Sequence, residues 1–387
     1  MAPTVVLSPR GIERERSGHP WIYRTDVARI RASAGDVVEV VGPRGRPIGF
    51  ALFSDRSRIA LRFLTKGDAP PSPSFLRDRL LLALEYRRTL AIDATCYRLV
   101  HGESDGLPGL VVDRYADYLV VQTLTQGTDR RLAEIVAALE ELQSPKGIVA
   151  RNDPKVRLLE GLDQRVDVVA GAVPERVEVR EGHVSYQVDL RHGQKTGLFL
   201  DQRENRVAAA SYARGRALDA FAYQGGFALA IAPRCDDVLA IDVSNEAATQ
   251  IAENAARNAL TNVRVETANV FDALRELERD GDRFDMVVLD PPAFAKSRES
   301  LAKAVTGYKE INLRALGLLK VGGYLVTCSC SYHVNEARFG EIVYEAALDA
   351  GATVVVVDKR MQARDHPVLL GMPESYYLKC LVLRRLA

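Results

Sequence analysis

The sequence predicts an α/β chain of three consecutive parts: a small β-rich module at 1–70, a central α+β module at 74–188 and a doubly wound α/β domain at 190–387. Three observations support this prediction. The chain has 387 residues, more than one ordinary domain holds. Its 47% hydrophobic and 27% charged residues are typical of a folded chain with sizeable cores. From about residue 190, buried strands alternate with helices, which indicates a mostly parallel sheet.

The first module is predicted from short apolar runs that are separated by turn residues. Strands are expected at 36–41, 48–53 and 59–64, with a Gly-Pro-Arg-Gly turn between the first two. The proline-rich segment 69–74 is typical of a linker. Its last residue, Ser74, is expected to cap the helix that follows.

The central module mixes both types of element. The predicted helices are 75–92 and 129–142, and the predicted strands are 109–113, 118–122 and 147–150, followed by a β-rich end near 166–190. We therefore expect an α+β arrangement here.

The last domain is predicted from apolar runs of strand length. Its expected strands are 217–221, 238–242, 263–266, 284–289 and 323–327, and its expected helices are 224–232, 244–258 and 303–319. The apolar run 354–357 is predicted as a core strand. Ligands of such sheets bind at the carboxyl ends of the strands, so the loops after strands are the places to look for a site.

The net charge of +1 conceals an asymmetry along the chain. Residues 1–100 carry a net charge of +7, whereas the remainder carries −6. This is compatible with nucleic-acid binding through the first module. A solvated arginine-rich surface explains the asymmetry equally well.

Cellular location follows from apolar runs and cysteines. No apolar run approaches the ~20 residues that span a bilayer, and the first residues lack the apolar core of a secretory signal. The five cysteines are scattered and odd in number, which favours a reducing compartment over a disulfide framework. We expect a cytoplasmic protein with no membrane partner.

A first ligand signal is an acidic strand end that leads into a glycine pair. Asp219 lies in the first strand of the last domain, and Gly225 and Gly226 precede the next helix. Glycines allow close approach of the backbone to a ligand. The spacing is not that of the dinucleotide or triphosphate loops, so those ligands are disfavoured.

Two further signals follow the next two strands. Asp242 ends the second strand, where a carboxylate can bind ribose hydroxyls; it can also serve as an N-terminal helix charge. After the third strand, Asn269 and Asp272 are both candidates for contact with an adenine amino group. Their alternative role is loop solvation. The order acid, glycine pair, Asp and polar loop resembles the class I S-adenosylmethionine (SAM) methyltransferases.

The loop after the fourth strand has the sequence Asp-Pro-Pro-Ala-Phe at 290–294. Two prolines stiffen it, and one carboxylate with an aromatic ring can hold a planar base. It resembles the Asp/Asn-Pro-Pro-aromatic loop of methyltransferases that act on nucleobases or amides, with Ala293 inserted. A proline-rich turn with a helix-capping Asp is the alternative.

The fifth strand leads into Thr-Cys-Ser-Cys-Ser at 327–331. A thiolate that attacks carbon 6 of cytosine makes carbon 5 nucleophilic, so Cys328 and Cys330 are candidates for covalent catalysis. Core packing and half of a metal site are the alternatives. A second Cys/His pair at ligand spacing is missing from the sequence, so no metal is predicted.

Together these motifs resemble the bacterial 23S ribosomal RNA cytosine-C5 methyltransferases that carry an N-terminal PUA domain. The matching segments are GHPWIY at 18–23, GESDGLPGL at 102–110, QKTGLFLDQR at 194–203, the loops at 290–294 and 327–331, and DHPV at 365–368. The resemblance implies an RNA-binding PUA domain, a central α+β domain and a Rossmann-like class I SAM domain.

The resemblance also implies roles for individual residues. The SAM-binding set is Asp219, Phe221, Tyr223, Gly225, Gly226, Asp242, Val243, Asn269, Val270, Asp290, Lys195, Thr196 and Gln202; Asn269 departs from the more usual Asp. The substrate-binding set is Pro291, Pro292 and Phe294, and the catalytic set is Cys330, Cys328 and Asp290. Asp290 would bind the target cytosine, and Cys330 is favoured over Cys328 as the nucleophile because it lies farther past the strand end.

The activity that the resemblance implies is SAM-dependent methylation of carbon 5 of a cytosine in 23S ribosomal RNA, with S-adenosylhomocysteine as product. It also implies a homodimer, on which the residues themselves are silent. Two alternatives stay open. One is N-methylation of a guanine, which needs no cysteine; the other is a non-catalytic RNA-binding factor in ribosome assembly.

Overall fold

The computed structural model of the protein describes residues 3–295 and 299–387. The chain divides into two compact units. The first comprises Met1–Val179, Gln187–Leu200 and Arg364–Ser375, and the second comprises Arg180–Tyr186, Asp201–Ala363 and Tyr376–Ala387. The three-domain division expected from the sequence stays a prediction beside this two-unit division.

The first unit begins with a six-stranded sheet. Its elements are β1 (Thr4–Leu7), α1 (Pro9–Arg16), β2 (Trp21–Tyr23), β3 (Val27–Arg31), β4 (Val37–Val41), β5 (Pro47–Phe53) and β6 (Ile59–Lys66). The strand order is β2-β6-β5-β4-β1-β3. Only the β1–β4 pair is parallel among the described strands of this sheet. Val5, Ile22, Val38 and Leu61 are fully buried in its core, and the strands predicted as β4 to β6 are confirmed.

The same unit contains a five-stranded sheet with three helices. Its elements are α2 (Phe75–Thr89), β7 (Cys96–His101), β8 (Leu110–Tyr115), β9 (Tyr118–Thr123), α3 (Gln126–Asp129), α4 (Leu132–Gln143), β10 (Gly147–Asn152) and β11 (Arg165–Gly171). The strand order is β11-β10-β9-β8-β7. Leu80 and Leu84 of α2 and Ile135 and Leu139 of α4 share one buried core with Val112.

In this unit one predicted helix is confirmed, one short helix is not predicted, and one predicted cap is wrong. The predicted helix 129–142 is confirmed as α4 (Leu132–Gln143). The short helix α3, which begins at a capping box of Thr125 and Thr128, is not predicted. Ser74 does not cap α2 through its side chain. Its hydroxyl instead donates a hydrogen bond of 2.6 Å to the carboxylate of Asp78.

A two-stranded sheet, β12 (Val177–Glu181) and β13 (Val184–Val188), follows along the chain. The second unit then contains α5 (Arg203–Tyr212), β14 (Arg216–Ala220), α6 (Gly226–Ile231), β15 (Asp237–Asp242), α7 (Asn245–Arg257), β16 (Val263–Thr267), α8 (Val270–Arg279), β17 (Phe284–Leu289), α9 (Leu301–Leu318), β18 (Leu319–Ser329), α10 (Glu336–Asp349), β19 (Val354–Met361) and β20 (Lys379–Arg385).

The second unit is a seven-stranded sheet of order β16-β15-β14-β17-β18-β20-β19. The first five strands run parallel, and β20 is antiparallel to both of its neighbours. Two buried clusters cover its two faces, as a doubly wound sheet requires. The strand order reverses between β14 and β17, and the crevice at such a point is where these folds bind ligands.

The predicted strands and helices of this unit are confirmed to within a few residues, except that β18 begins earlier, at Leu319. The prediction of a core strand at 354–357 is wrong. These residues begin β19, which is an edge strand, and Val355 and Val356 are 39% and 50% exposed.

Candidate active site

Five loops meet at the carboxyl edge of the parallel sheet, and the one after β14 has a strained backbone. Phe221 and Tyr223 have φ angles of 69° and 49°, in the left-handed region that residues with a side chain rarely adopt. Such conformations cost of order 1–3 kcal/mol each and cluster at functional sites. Gly225 adopts φ 82° without that cost. A Cβ at Gly226 would lie 2.6 Å from Nε of Arg206, so this turn has no room for a side chain.

Asp219 is a buried carboxyl at the end of β14, with 1% of its surface exposed. Its Oδ2 accepts a hydrogen bond of 2.7 Å from the backbone N–H of Ala228 in α6. Among the described residues, its Oδ1 has no partner. Burial is the main reason why the pKa of Asp219 rises to about 8; the negative charges of Asp290 and Asp242 contribute to the rise, and the Ala228 N–H opposes it.

Asp242, at the end of the neighbouring strand β15, holds the strained loop in place. Its Oδ2 accepts from the backbone N–H of Tyr223 at 2.9 Å, and its Oδ1 accepts from that of Ser244 at 3.1 Å. The helix-capping side chain is that of Ser244, which accepts from the N–H of Ala247. Asp242 therefore shapes the loop, and the adjacent Val243 is 70% exposed.

The loop after β16 offers fewer side-chain groups to a ligand than the sequence suggests. The side-chain oxygen of Asn269 accepts from the N–H of Phe271 at 3.0 Å and caps α8. The Val270 side chain is 3% exposed and belongs to the core beneath the sheet. Asp272 pairs with Arg275 on the surface of α8. At this position, contact with a ligand would fall to the amide nitrogen of Asn269 or to the backbone.

Asp290 is held by a chain of buried amides. Its Oδ1 accepts from Nε2 of Gln202 at 2.8 Å. The Oε1 of Gln202 accepts from Asn205 at 2.6 Å, and Oδ1 of Asn205 accepts from Nε of Arg360 at 3.2 Å. Gln202 and Asn205 are 2% and 1% exposed. These contacts orient the carboxylate, so Gln202 acts through Asp290.

The loop that Asp290 begins is fastened to the loop after β18. The backbone N–H of Ala295 donates to Oγ of Ser331 at 3.0 Å, and Tyr308 shares a hydrogen bond of 2.9 Å with the same Oγ. The Phe294 ring lies 4.7 Å from that of Tyr308 and 6.3 Å from that of Phe221, centroid to centroid. The Phe294 ring therefore packs against these two aromatic rings. Pro291 is buried, whereas Pro292 is exposed.

The two cysteines of the last motif differ sharply in environment. Cys328 is fully buried on β18, opposite Cys380 of β20. A hydrogen bond with Cys380 and burial hold the pKa of the Cys328 thiol well above its usual range. Cys330 lies past the strand end and is half-buried. Its Sγ donates to the carbonyl oxygen of Pro291 at 3.8 Å, beside Asp290.

Two predicted cofactor residues belong to the first compact unit. The buried hydroxyl of Thr196 donates to Oδ2 of Asp113 at 2.7 Å and shares a hydrogen bond of 2.9 Å with the hydroxyl of Tyr115. The ammonium of Lys195 lies 4.2 Å from the ring centroid of Phe199. Their predicted role toward the cofactor stays a prediction.

Two site residues were not predicted from the sequence. Asn205 supports Gln202, and no motif marks it. Lys379 begins β20, is 2% exposed, and donates from Nζ to the carbonyl oxygens of Ser331 and Tyr377 at 2.8 and 3.0 Å. In the sequence, Lys379 could have been found as the one charged residue inside the apolar run 376–383.

The sequence matches two family models. Residues 5–66 match a PUA-like domain, and residues 97–381 match the S-adenosylmethionine-dependent methyltransferase model. The curated protein "Ribosomal RNA large subunit methyltransferase I" of Tolumonas auensis is 40% identical over 99% of this chain and 100% of its own length. The protein of the same name from Aeromonas hydrophila is 42% identical over 95% of both chains.

The chain belongs to this methyltransferase family. Its fold is also found in a solved structure, SMU.776, a putative methyltransferase complexed with SAH, with a TM-score of 0.85 at 20% identity over 99% of this chain and all of that one. The protein is thus a SAM-dependent methyltransferase with an N-terminal PUA-like domain. Both the predicted fold class and the predicted cofactor are confirmed.

The residues at the carboxyl edge fit this cofactor. SAM carries a sulfonium and an ammonium group, and the carboxylates of Asp242 and Asp290 give the edge a negative field. The unpartnered Oδ1 of Asp219 is an acceptor for a cationic group. No cluster of His, Cys, Asp and Glu suited to a metal ion occurs among residues 3–295 and 299–387. No helix in these residues is long and apolar enough to cross a membrane.

Proposed function

We propose that this protein transfers the methyl group of SAM to carbon 5 of a cytosine in 23S ribosomal RNA, through a covalent bond between Cys330 and carbon 6 of the base. The contact between the Cys330 thiol and the Pro291 carbonyl, beside Asp290, is the observation that carries the proposal. It brings a thiol and a carboxylate together at the end of the parallel strands, where ligands of this fold bind.

The cofactor supplies an electrophilic methyl group when it is bound. The strained loop consists of the residues Phe221 to Gly226. We propose that its backbone contacts the cofactor, together with the carboxylates of Asp219 and Asp242. Because Asp242 already fixes the Tyr223 N–H, the loop needs little reorganisation on binding. Asp219 would meet the cationic part of the cofactor and Asp242 its ribose.

Cys330 and Asp290 would act on the base. The Cys330 thiolate adds to carbon 6, and the new C–S bond gives carbon 5 the electron density of an enamine. Asp290 hydrogen-bonds the N3/N4 edge of the cytosine and stabilises charge on the ring. After methyl transfer, a base takes the carbon 5 proton; the electrons of that C–H bond form the C5–C6 double bond, and the C–S bond breaks to release the thiolate.

Cys328 is poorly suited to the same role. Its contact with Cys380 and its full burial both disfavour the thiolate, which is the reactive form. The half-buried Cys330 is therefore the proposed nucleophile, and Cys328 is assigned to packing between β18 and β20.

The proposed RNA substrate is supported by the PUA-like domain and by the names of the relatives. This domain lies within the basic first 100 residues, and Arg29 and Arg31 are exposed on its edge strand β3. Positive charge at an exposed edge favours contact with phosphates. The homodimer and the cytoplasmic location stay predictions, and sedimentation of the full chain tests the first.

RNA that contains 5-fluorocytosine tests the covalent step. Fluorine at carbon 5 cannot leave as a proton does, so the wild-type enzyme and Cys328→Ser should accumulate a denaturation-resistant adduct with SAM and this RNA. Cys330→Ser should form none. Methyl transfer to guanine without any adduct would favour the N-methylation alternative, and RNA binding without any transfer would favour the assembly-factor alternative.

A further inference from the structure

Lys379 is a buried ammonium without an acidic partner in the described part of the chain. Both of its hydrogen bonds go to backbone carbonyl oxygens, those of Ser331 and Tyr377, and no carboxylate pairs with it there. Burying a charge without a counter-ion is costly, so such groups are usually paired. A functional role would explain why a lysine is buried at this position in the sheet.

Hydrogen bonds hold the Lys379 ammonium at the end of β18, where Cys330 follows the strand. Lys379 lies opposite Ser329 in the β18–β20 pair, and its side chain extends past the strand end to the carbonyl of Ser331. Cys330 is the residue between these two. Burial lowers the pKa of Lys379 to about 8, and the negative charge of an ionised Cys330 opposes that shift. The thiol is thus the acidic group that this ammonium faces.

We infer that Lys379 is a positioning residue that holds its ammonium beside Cys330 and stabilises the thiolate form of that side chain. The inference rests on the proposed role of Cys330 as the nucleophile. A cation beside a thiol favours the thiolate, which is the form that attacks carbon 6. The nearby thiolate in turn stabilises the protonated lysine.

The other titratable groups that the described part of the chain places around Cys330 are acidic. Asp290 precedes Pro291, whose carbonyl accepts from the thiol, so its negative charge disfavours the thiolate. Tyr308 of α9 also faces Cys330, since an ionised Cys330 raises the pKa of this tyrosine. Cys328 on the same strand is held as a neutral thiol. Among these groups, Lys379 alone supplies a positive charge.

The pH dependence of Cys330 alkylation by iodoacetamide tests the inference without RNA or SAM. The thiolate sulfur displaces iodide, and mass spectrometry of peptides follows Cys330 separately from the other cysteines. Wild type is compared with Lys379→Met and Lys379→Arg. The matched control is Lys359→Met, because Lys359 is 63% exposed on the neighbouring β19 and pairs with Glu336. The rate at high pH normalises each curve for access to the thiol.

Lys379→Met should raise the pKa of Cys330 by about one unit, which is about a tenfold slower alkylation at neutral pH. Lys379→Arg should stay within about threefold of wild type, and Lys359→Met should match wild type. An unchanged midpoint in Lys379→Met would overturn the inference, as would a wild-type Cys330 that is not alkylated up to pH 10. Circular dichroism of each variant verifies folding.

The two proposals fail separately. If the midpoint shifts but the wild-type enzyme makes no 5-methylcytosine, the Lys379–Cys330 pair stands and the proposed reaction falls. If the wild-type enzyme makes 5-methylcytosine and the midpoint does not shift, only the role of Lys379 is lost.

Discussion

Replacement of Asp219 by Asn should stabilise the protein and at the same time weaken cofactor binding. Asn has nearly the same shape, and its side-chain oxygen can still accept from the Ala228 N–H. It removes the charge that burial makes unfavourable. A structural carboxylate would behave in the opposite way, so the pair of effects identifies a buried charge that is kept for a ligand.

The magnitude follows from the raised pKa. The pKa of Asp219 is about 8 in the folded protein and about 4 when unfolded, so the folded state binds this proton more tightly. The stability that the bound proton contributes is fully present below about pH 4 and is lost as the pH rises towards 8. The slope is about 1.4 kcal/mol per pH unit. Between pH 5.5 and 7.5, the stability of wild type relative to Asp219→Asn should therefore fall by on the order of 3 kcal/mol.

Urea unfolding followed by far-ultraviolet circular dichroism measures this change for both proteins at several pH values. Titration calorimetry at pH 7.5 measures SAM affinity, which should fall by about 10- to 100-fold in Asp219→Asn, since a hydrogen bond to a charged group contributes about 1.5–3 kcal/mol. A stability difference that does not vary with pH, or a variant that binds SAM as tightly as wild type, would refute the reasoning.

Three further predictions concern the site. Gln202→Leu removes the donor to Asp290, so kcat should fall by about tenfold or more with little change in RNA affinity, as single-turnover and filter-binding assays can measure. Cys330→Ser should abolish methyl transfer, whereas Cys328→Ser should keep most of it; equal loss in both would contradict the assignment. Gly225→Ala places a side chain at φ 82°, so it should lower the free energy of unfolding by about 1–2 kcal/mol and weaken SAM binding. Urea unfolding measures the first effect. An unchanged unfolding midpoint would show that the loop is not constrained.

The parallel part of the last sheet could be predicted from the sequence because its strands are buried on both faces. Runs such as 284–289 are continuous and apolar, which leaves little choice of structure. The prediction is wrong for β19, which is an edge strand and not a core strand. Its valines resemble a core strand, yet Val355 and Val356 are substantially exposed because the sheet ends there. Position within a sheet is decided by pairing between distant segments, which local apolar content does not encode.

The loops of the site could be predicted for a geometric reason. Parallel strands all end at one edge, so Asp219, Asp242 and Asp290 had to lie near one another once the strands were placed. The groups that orient them could not be predicted in this way. Gln202 reaches Asp290 across 88 positions, and Lys379 reaches Ser331 across 48. Such contacts depend on side-chain directions in the assembled core.

Methyl transfer from labelled SAM to 23S ribosomal RNA that lacks its natural cytosine methylation tests the central claim most directly. Digestion of the RNA to nucleosides identifies the labelled product. The account predicts label in 5-methylcytidine, with none when Cys330 is replaced by serine. Label in a methylated guanosine, or equal labelling by the Cys330→Ser variant, would contradict it.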